Sequence, residues 1–468
     1  MGALAVSLTG IGEGIDKSIL ATNLAVFYAL MARSLTTRDE IVYGLRTYFT
    51  VETLFLLFYF LIFYWPYQQY LLGVGEIGAS RFLTQTFVSG SNAAVTLATI
   101  GALAFSFGYR SIKSTAATRS NSIPEEKLEE GAETGVRLAR LSTFGLICAI
   151  AVYLGLGLRT EGEGRYTNSA SGGYLAETVS TLILVFAMVV LATWIYLRRW
   201  KQRPGLFIIL GVGLAAIWSL RMLALGDRNS FLLLALVAVA GVFTFLRSAP
   251  FVILLALFIA ALVTYSAVEV LRSQTTSDLW SALGPTQGAG DESSFNITTV
   301  TLRAAVLAVP GSYDFAWGEY KLIGLLGPIP FARGLYVSAF QPSHATSAEF
   351  LGDLMLGPGA SWNVGSNVIA DAYLDLGLLG VVLTLAAVGL VAKLVRNLAA
   401  RSPASVPSHV MYLVLLPLLA ELPRYSVDFP FRVVAWAGVL TWLATKVGKK
   451  SRSRGDGPRF RSARTRRS

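Results

Sequence analysis

The sequence predicts an all-α helix bundle that crosses a membrane many times and carries one large loop on its outer side. Three observations lead there. Only 14% of the 468 residues are charged and 54% are hydrophobic, whereas soluble domains carry about a quarter charged residues. The apolar residues are gathered into runs of bilayer-crossing length, about 17–25 residues, and the mean hydropathy is +0.58. The net charge of +11 is concentrated at one end. Together these exclude a soluble enzyme.

In chain order the apolar runs fall near 18–33, 47–65, 87–109, 138–158, 175–197, 205–225, 229–246, 249–270, 367–392, 409–422 and 430–447. That gives about eleven spans, or twelve with one further helix. The runs at 18–33 and 409–422 are short, and Glu13, Asp16 and Lys17 crowd the first. The chain thus divides into N-terminal membrane helices (1–270), a long loop (271–366), C-terminal membrane helices (367–447) and a tail (448–468). Residues 1–15 lack a basic n-region and a clear cleavage site, so no secretory signal is expected. Cys148 is the one cysteine and lies in an apolar run, which excludes an intrachain disulfide and a cysteine metal cluster.

Orientation follows from the cations. Residues 446–468 hold ten Lys and Arg against Asp456 alone. Directly after an apolar segment, such a tail reads as a cytoplasmic end held near anionic lipid rather than a nucleic-acid arm. With the tail inside, alternation puts 31–46, 110–137, 198–204, the turn at Arg247 and 393–408 inside as well. These segments and the tail hold 26 cations, against eleven outside, in line with the positive-inside rule. The same alternation leaves the N-terminus outside, unless a twelfth helix precedes. Nine of the outer cations are arginine, Arg228, Arg303, Arg333, Arg424 and Arg432 among them; the others are Lys17 and Lys321. Arginine is the better fork for phosphate oxygens.

The 96-residue outer segment 271–366 keeps aromatics such as Trp280, Trp317, Tyr336 and Trp362, so it is expected to be ordered. Loops this long are usually functional; the plain alternative is a passive cap over the bundle. Ile297, Val300, Ala304 and Leu307 repeat at helical spacing with Arg303 on their flank, which predicts a short helix lying on the membrane surface. Thr346 to Glu349 is a capping-box pattern ahead of Phe350, Leu351, Leu354 and Met355, which predicts a second helix. His344, just before it, reads as a surface residue or as an acid–base group. His409 falls at the cytoplasmic edge of a span.

The next helix opens with Asn367, Asp371 and Asp375, four apart in turn and so on one face. Carboxylates inside a membrane span default to a functional role, although acids in a first turn also complement the helix dipole. Asp375, one turn deeper, is the stronger candidate.

From Ser366-Asn367 to Gly380 the run resembles a signature of the O-antigen ligase and polymerase superfamily, N-x-x-x-x-x-x-x-[DE]-x-G-x-x-G, which follows that family's large outer loop. Asn367, Asp375, Gly377 and Gly380 fit the form, with Tyr373 as its tyrosine. The turn Gly226-Asp227-Arg228-Asn229 is similar to the family's Gly-x-Arg turn. The likeness covers the chain from about Arg221 onward. Ligases of the family carry His before that Asn, where this chain has Ser366; the departure favours the polymerase branch and leaves the general base open.

The resemblance implies glycan transfer at the outer face, from a polyprenyl diphosphate carrier to the end of another lipid-linked repeat unit. It makes Arg228, Arg303, Arg333, Arg424 and Arg432 candidates for the diphosphate, with Asn367 and Tyr373 in the substrate site. Asp371, Asp375, Asp353, Glu349 and His344 are candidates for the base. Membrane lipids, a flippase and a chain-length regulator are the partners implied. No His/carboxylate cluster suggests a metal, and no glycine-rich nucleotide loop suggests a cofactor. A flippase would explain the helices but not the long loop, and no internal repeat of the transporter kind is seen. A polyprenyl-phosphate-sugar transferase with a metal-assisted first outer loop needs an acidic pair, and 66–86 has Glu76 alone. A structural membrane subunit remains as the blandest alternative.

Overall fold

The computed structural model describes residues 14–37, 39–78, 83, 85–117, 123–158, 173–225, 227–248, 250–260, 263, 294–329, 331–358 and 364–455. Helix α1 (Lys17–Thr36) starts at Asp16, whose carboxylate accepts the Ser18 N–H at 2.7 Å. An antiparallel ribbon follows, β1 (Asp39–Val42) with β2 (Leu45–Thr47). It corrects the all-α expectation locally; strands of four and three residues are too short to show a period in sequence.

Then come α2 (Val51–Phe63), α3 (Trp65–Leu71), α4 (Ser91–Arg110), α5 (Glu125–Gly155), α6 (Gly173–Arg199), α7 (Leu206–Ala224), α8 (Arg228–Gly241, continued by a π-helical turn Val242–Leu246) and α9 (Phe251–Ala260). The second half holds α10 (Ser294–Ala308), α11 (Glu319–Leu326), α12 (Ala332–Phe340), α13 (Ser347–Leu356), α14 (Val368–Arg401), α15 (Val406–Ala420) and α16 (Asp428–Gly455).

Seven described helices are long and apolar enough to span a bilayer: Lys17–Thr36, Val88–Arg110, Glu125–Gly155, Leu175–Arg199, Leu206–Ala224, Asn229–Leu246 and Val368–Arg401. Each coincides with an expected span. The run at 47–65 is cut by Tyr64 into α2 and α3, that at 409–422 is the 15-residue α15, that at 249–270 is described as α9 and residue 263, and that at 430–447 lies within α16.

Helix α14 packs against α4 backbone to backbone. A Cβ on Gly108 would come within 2.0 Å of the Ala386 carbonyl oxygen, and one on Gly389 within 2.2 Å of that of Phe105. Small residues allow such approach where lipid supplies no hydrophobic force between helices.

The stripe in α10 does not lie on a surface. Residues 297–306 are buried throughout, and α10 packs against α2, α4 and α14. Two of its polar side chains find carbonyl partners inside, which lowers the cost of burial: Thr299 donates to the Ile62 carbonyl at 2.5 Å and Arg303 to that of Thr86 at 3.0 Å. Helix α13 begins as the capping box predicts, with Thr346 Oγ1 accepting the Glu349 N–H at 3.1 Å.

Candidate functional site

Asn367 starts α14 as its N-cap, accepting the N–H groups of Ile369 and Ala370 at 3.1 and 2.8 Å. Its amide donates to the Thr298 carbonyl at 3.0 Å and to Thr301 Oγ1 at 2.9 Å, which ties the helix start to α10. Two turns on, the helix breaks: Leu376 and Gly377 leave helical geometry, Gly377 at φ +61° and ψ −147°. A left-handed φ with Phe315 at 3.1 Å from any added Cβ calls for glycine. Near the break the Leu374 carbonyl takes the Ala316 N–H at 2.9 Å, so loop backbone docks on the helix.

That docking delivers α11. Its N-cap, Gly318 at φ +92°, offers no side chain, and the helix is capped from α14 instead. Asp375 accepts the Tyr320 and Lys321 N–H groups, one on each carboxylate oxygen, both at 3.1 Å. These are first-turn donors without intrahelical partners. The Lys321 ammonium then reaches Asp371 Oδ2 in a short ion pair and lies 3.4 Å from Asp375 Oδ2. Asp371 Oδ1 takes the Ser347 hydroxyl at 2.7 Å, and Oδ2 is 3.5 Å from the Val427 N–H.

The three charges are not equally buried. The side chains of Lys321, Asp371 and Asp375 are 26%, 6% and 1% exposed. Burial alone would lower the Lys321 pKa, but the two carboxylates outweigh it and hold the ammonium above the ordinary lysine value. Burial, followed by the surrounding carboxylates, pushes the Tyr320 hydroxyl up. Lys321 and Asp371 face an open cleft, walled also by Ser347, Ser426, Asp428 and Phe431. Asp375 is behind it. The cleft wall thus carries two carboxylates, Asp371 and Asp428, and one ammonium, Lys321, while Asp375 is kept for α11.

The other expected site residues disperse. Tyr373 donates to the Val309 carbonyl at 3.1 Å. Arg303 is fully buried in α10. Arg333 lies half-buried on α12, away from the cleft wall. Arg424 donates to Asn229 Oδ1 at 2.5 Å, which joins the α15–α16 turn to the start of α8. Arg432 pairs with Glu177 at 2.7 Å. His344 meets Asp353 at 3.2 Å outside the cleft lining. Arg228 begins α8, and its side chain, like Trp280, Trp362 and the segment 271–293, lies outside the described residues. Lys321, Ser347, Ser426 and Asp428 are among the cleft residues that the sequence did not single out as a site.

A bundle of apolar helices with a charged cleft beside the first turns of one of them defines a polytopic membrane protein with a polar cleft. A family model for O-antigen polysaccharide polymerase Wzy matches residues 20–451, and the chain belongs to that family. It is a membrane polymerase of lipid-linked repeat units, a glycosyltransferase-type protein of polysaccharide biosynthesis; the ligase and flippase readings are not favoured. The match reaches well before Arg221, where the sequence resemblance begins. No curated protein and no solved structure matches the chain.

Proposed function

We propose that the glycan grows at the Asp371 cleft, on the outer side of the membrane. The observation that carries this is that Asp371 and Lys321 stand together on an open cleft, in the part of α14 before its break at Leu376–Gly377. The sidedness rests on charge: Lys393, Arg396 and Arg401 at the other end of α14, with the tail 448–468, belong to the cation-rich inner side. In this reading the chain crosses eleven times, α2 with α3, α9, α15 and α16 completing the seven long spans, and 271–366 is the outer loop.

Asp371 takes the proton of the acceptor hydroxyl as its oxygen attacks the anomeric carbon of the donor. The bond from that carbon to the diphosphate breaks, and the diphosphate leaves with the electron pair. Asp375 holds α11 in place. Arg424 is assigned to the diphosphate because its turn runs on into the cleft wall through Ser426 and Val427, and Arg228 joins it because it begins the helix that Arg424 touches. Arg303, Arg333 and Arg432 serve the fold, Asn367 and Tyr373 fix the helix opening, and His344 stays outside the chemistry. Arg424 and Arg228 meet the diphosphate's charge in this reading, which invokes no metal and no cofactor. The partners are the lipid-linked donor, the lipid-linked acceptor and the surrounding lipid.

Asp371→Asn tests the reading. With protein level and membrane insertion unchanged, polymerisation should fall by about 10²-fold or more, leaving single repeat units on carrier and surface by mass spectrometry. Full-length polymer from this variant would remove Asp371 as the base. Long polymer stranded on the carrier in a strain lacking the protein would point to ligation instead.

A further inference from the structure

We infer that Lys321 is an exchangeable counter-ion, which leaves Asp371 for the diphosphate of the lipid-linked donor and so frees the base only when the donor is bound. The inference rests on the proposal that Asp371 accepts the proton, and it concerns a residue to which that proposal gives no step.

The two carboxylates hold Lys321 unequally. Asp375 keeps two backbone N–H donors whatever the ammonium does, and it is 1% exposed. Its place is fixed. Asp371 has both oxygens engaged: Oδ1 takes the Ser347 hydroxyl, and Oδ2 takes two donors, Lys321 and the Val427 N–H at 3.5 Å, which fill its two lone pairs. Moving the ammonium opens one of them to an acceptor hydroxyl. Lys321 can move: a lysine is a point charge on a flexible four-carbon stem, this one is a quarter exposed, and it lines the cleft together with its partner. Its backbone stays anchored meanwhile, because Asp375 holds the amide and not only the side chain. Asp428, which also lines the cleft, repels an anion, and Glu349 and Glu319 lie near enough to act on Tyr320. A diphosphate entering the cleft therefore finds Lys321 as the favourable charge among the side chains described on its wall.

The exchange balances. Lys321 keeps all its protons and pairs with the diphosphate through charge-assisted hydrogen bonds. The acceptor O–H bond breaks toward Asp371 Oδ2, the new bond to the anomeric carbon forms, and the electron pair of the broken bond stays on the diphosphate, where the ammonium meets it. When the polyprenyl diphosphate departs, Lys321 returns to Asp371 and the proton passes to water.

Binding of farnesyl diphosphate, a short polyprenyl diphosphate, to the full-length protein in nanodiscs tests this through a double-mutant cycle. Asp371→Asn removes the competitor for Lys321, so the probe should bind about tenfold tighter than to wild type, even as polymerisation falls. Lys321→Met should bind about tenfold more weakly. In the double variant the gain from Asp371→Asn should vanish. A gain that persists there is relief of repulsion alone and overturns the exchange, as does unchanged affinity in Asp371→Asn. Lys321→Met leaves two carboxylates without their cation; Lys321→Arg, which keeps the charge, should retain probe binding, and loss of binding there with a normal elution profile also counts against the exchange. The base assignment fails separately, if Asp371→Asn polymerises normally whatever its affinity.

Discussion

At one end of α14, Lys393, Arg396 and Asn397 are buried in a web of loop backbone; at the other, Asp371 and Asp375 are buried around a single lysine that solvent still reaches. Arg396 is 3% exposed. It gives Nε to Asp39 Oδ2 at 2.8 Å, Nη1 to the Thr115 carbonyl at 2.6 Å and Nη2 to the Glu40 carbonyl at 3.0 Å. Asn397 accepts the Thr115 N–H and donates to the Lys113 carbonyl, both at 3.0 Å, and Lys393 donates to Ser114 at 2.6 Å over the Tyr109 ring. Each buried charge needs a partner at either end. The difference lies in who supplies it. Backbone carbonyls and the β1 carboxylate fasten two loops to the helix at the Arg396 end, whereas an exchangeable side chain supplies it at the Asp371 end, beside a cleft.

The sharpest way to break the comparison is Arg396→Met. Removing one partner of a buried pair leaves Asp39 uncompensated, and the expected loss is about 3–5 kcal/mol of stability, read as a large drop in melting temperature in detergent. Polymerisation per folded molecule should stay near the wild-type rate, because Arg396 serves only the fold. Activity that collapses while the melting temperature holds would show that the two ends do not act separately.

Much of the frame was legible in sequence, and the site only in part. The seven long helices show because an apolar run of bilayer length has few other readings. The spacing of Asn367, Asp371 and Asp375 put them on one face, and the structure brings both acids to one lysine. That lysine was not legible: it is 50 positions from Asp371, in a short helix with no side-chain cap of its own, and the preference for arginine at phosphates points away from it. Nor was the break at Leu376–Gly377 visible, since a glycine inside an apolar run carries no sign of its φ. The stripe in α10 misled for a related reason. Threonines count as polar in a periodicity, yet a hydroxyl that finds a carbonyl, as Thr299 finds Ile62, goes into a core readily.

A smaller effect should separate the two ends by pH. Glu421, in the turn between α15 and α16, is 1% exposed and accepts only the Tyr425 hydroxyl, at 3.2 Å, among the described partners. Burial pushes its pKa up to about 8, with Arg424 pulling the other way and Asp227 adding to the rise. The folded protein therefore binds this proton more tightly than the unfolded chain. Its stabilising contribution is complete below the ordinary carboxylate range and is lost as pH rises to about 8, at a rate of at most about 1.4 kcal/mol per pH unit. Glu421→Gln should flatten the fall of melting temperature over that window. An unchanged slope would mean that Glu421 does not titrate there, and that this end is no more sensitive to pH than the Arg396 end.

The smallest expected effect is at His344. Histidine is a frequent acid–base group, and the sequence places this one on the long loop just before α13. The structure turns it onto Asp353 at 3.2 Å and edge-on to Phe350, with Asp353 46% exposed. A pair this open contributes at most about 1 kcal/mol, and it reaches neither Asp371 nor Lys321. His344→Ala should therefore polymerise at nearly the wild-type rate, with a melting temperature lowered slightly. A steep loss of rate, at unchanged affinity for farnesyl diphosphate and with the acidic limb of the pH–rate profile gone, would move the base from α14 to the loop. Asp371 and Lys321 would then join Arg396 and Asp39 as fastenings, and the contrast between the two ends of the helix would disappear.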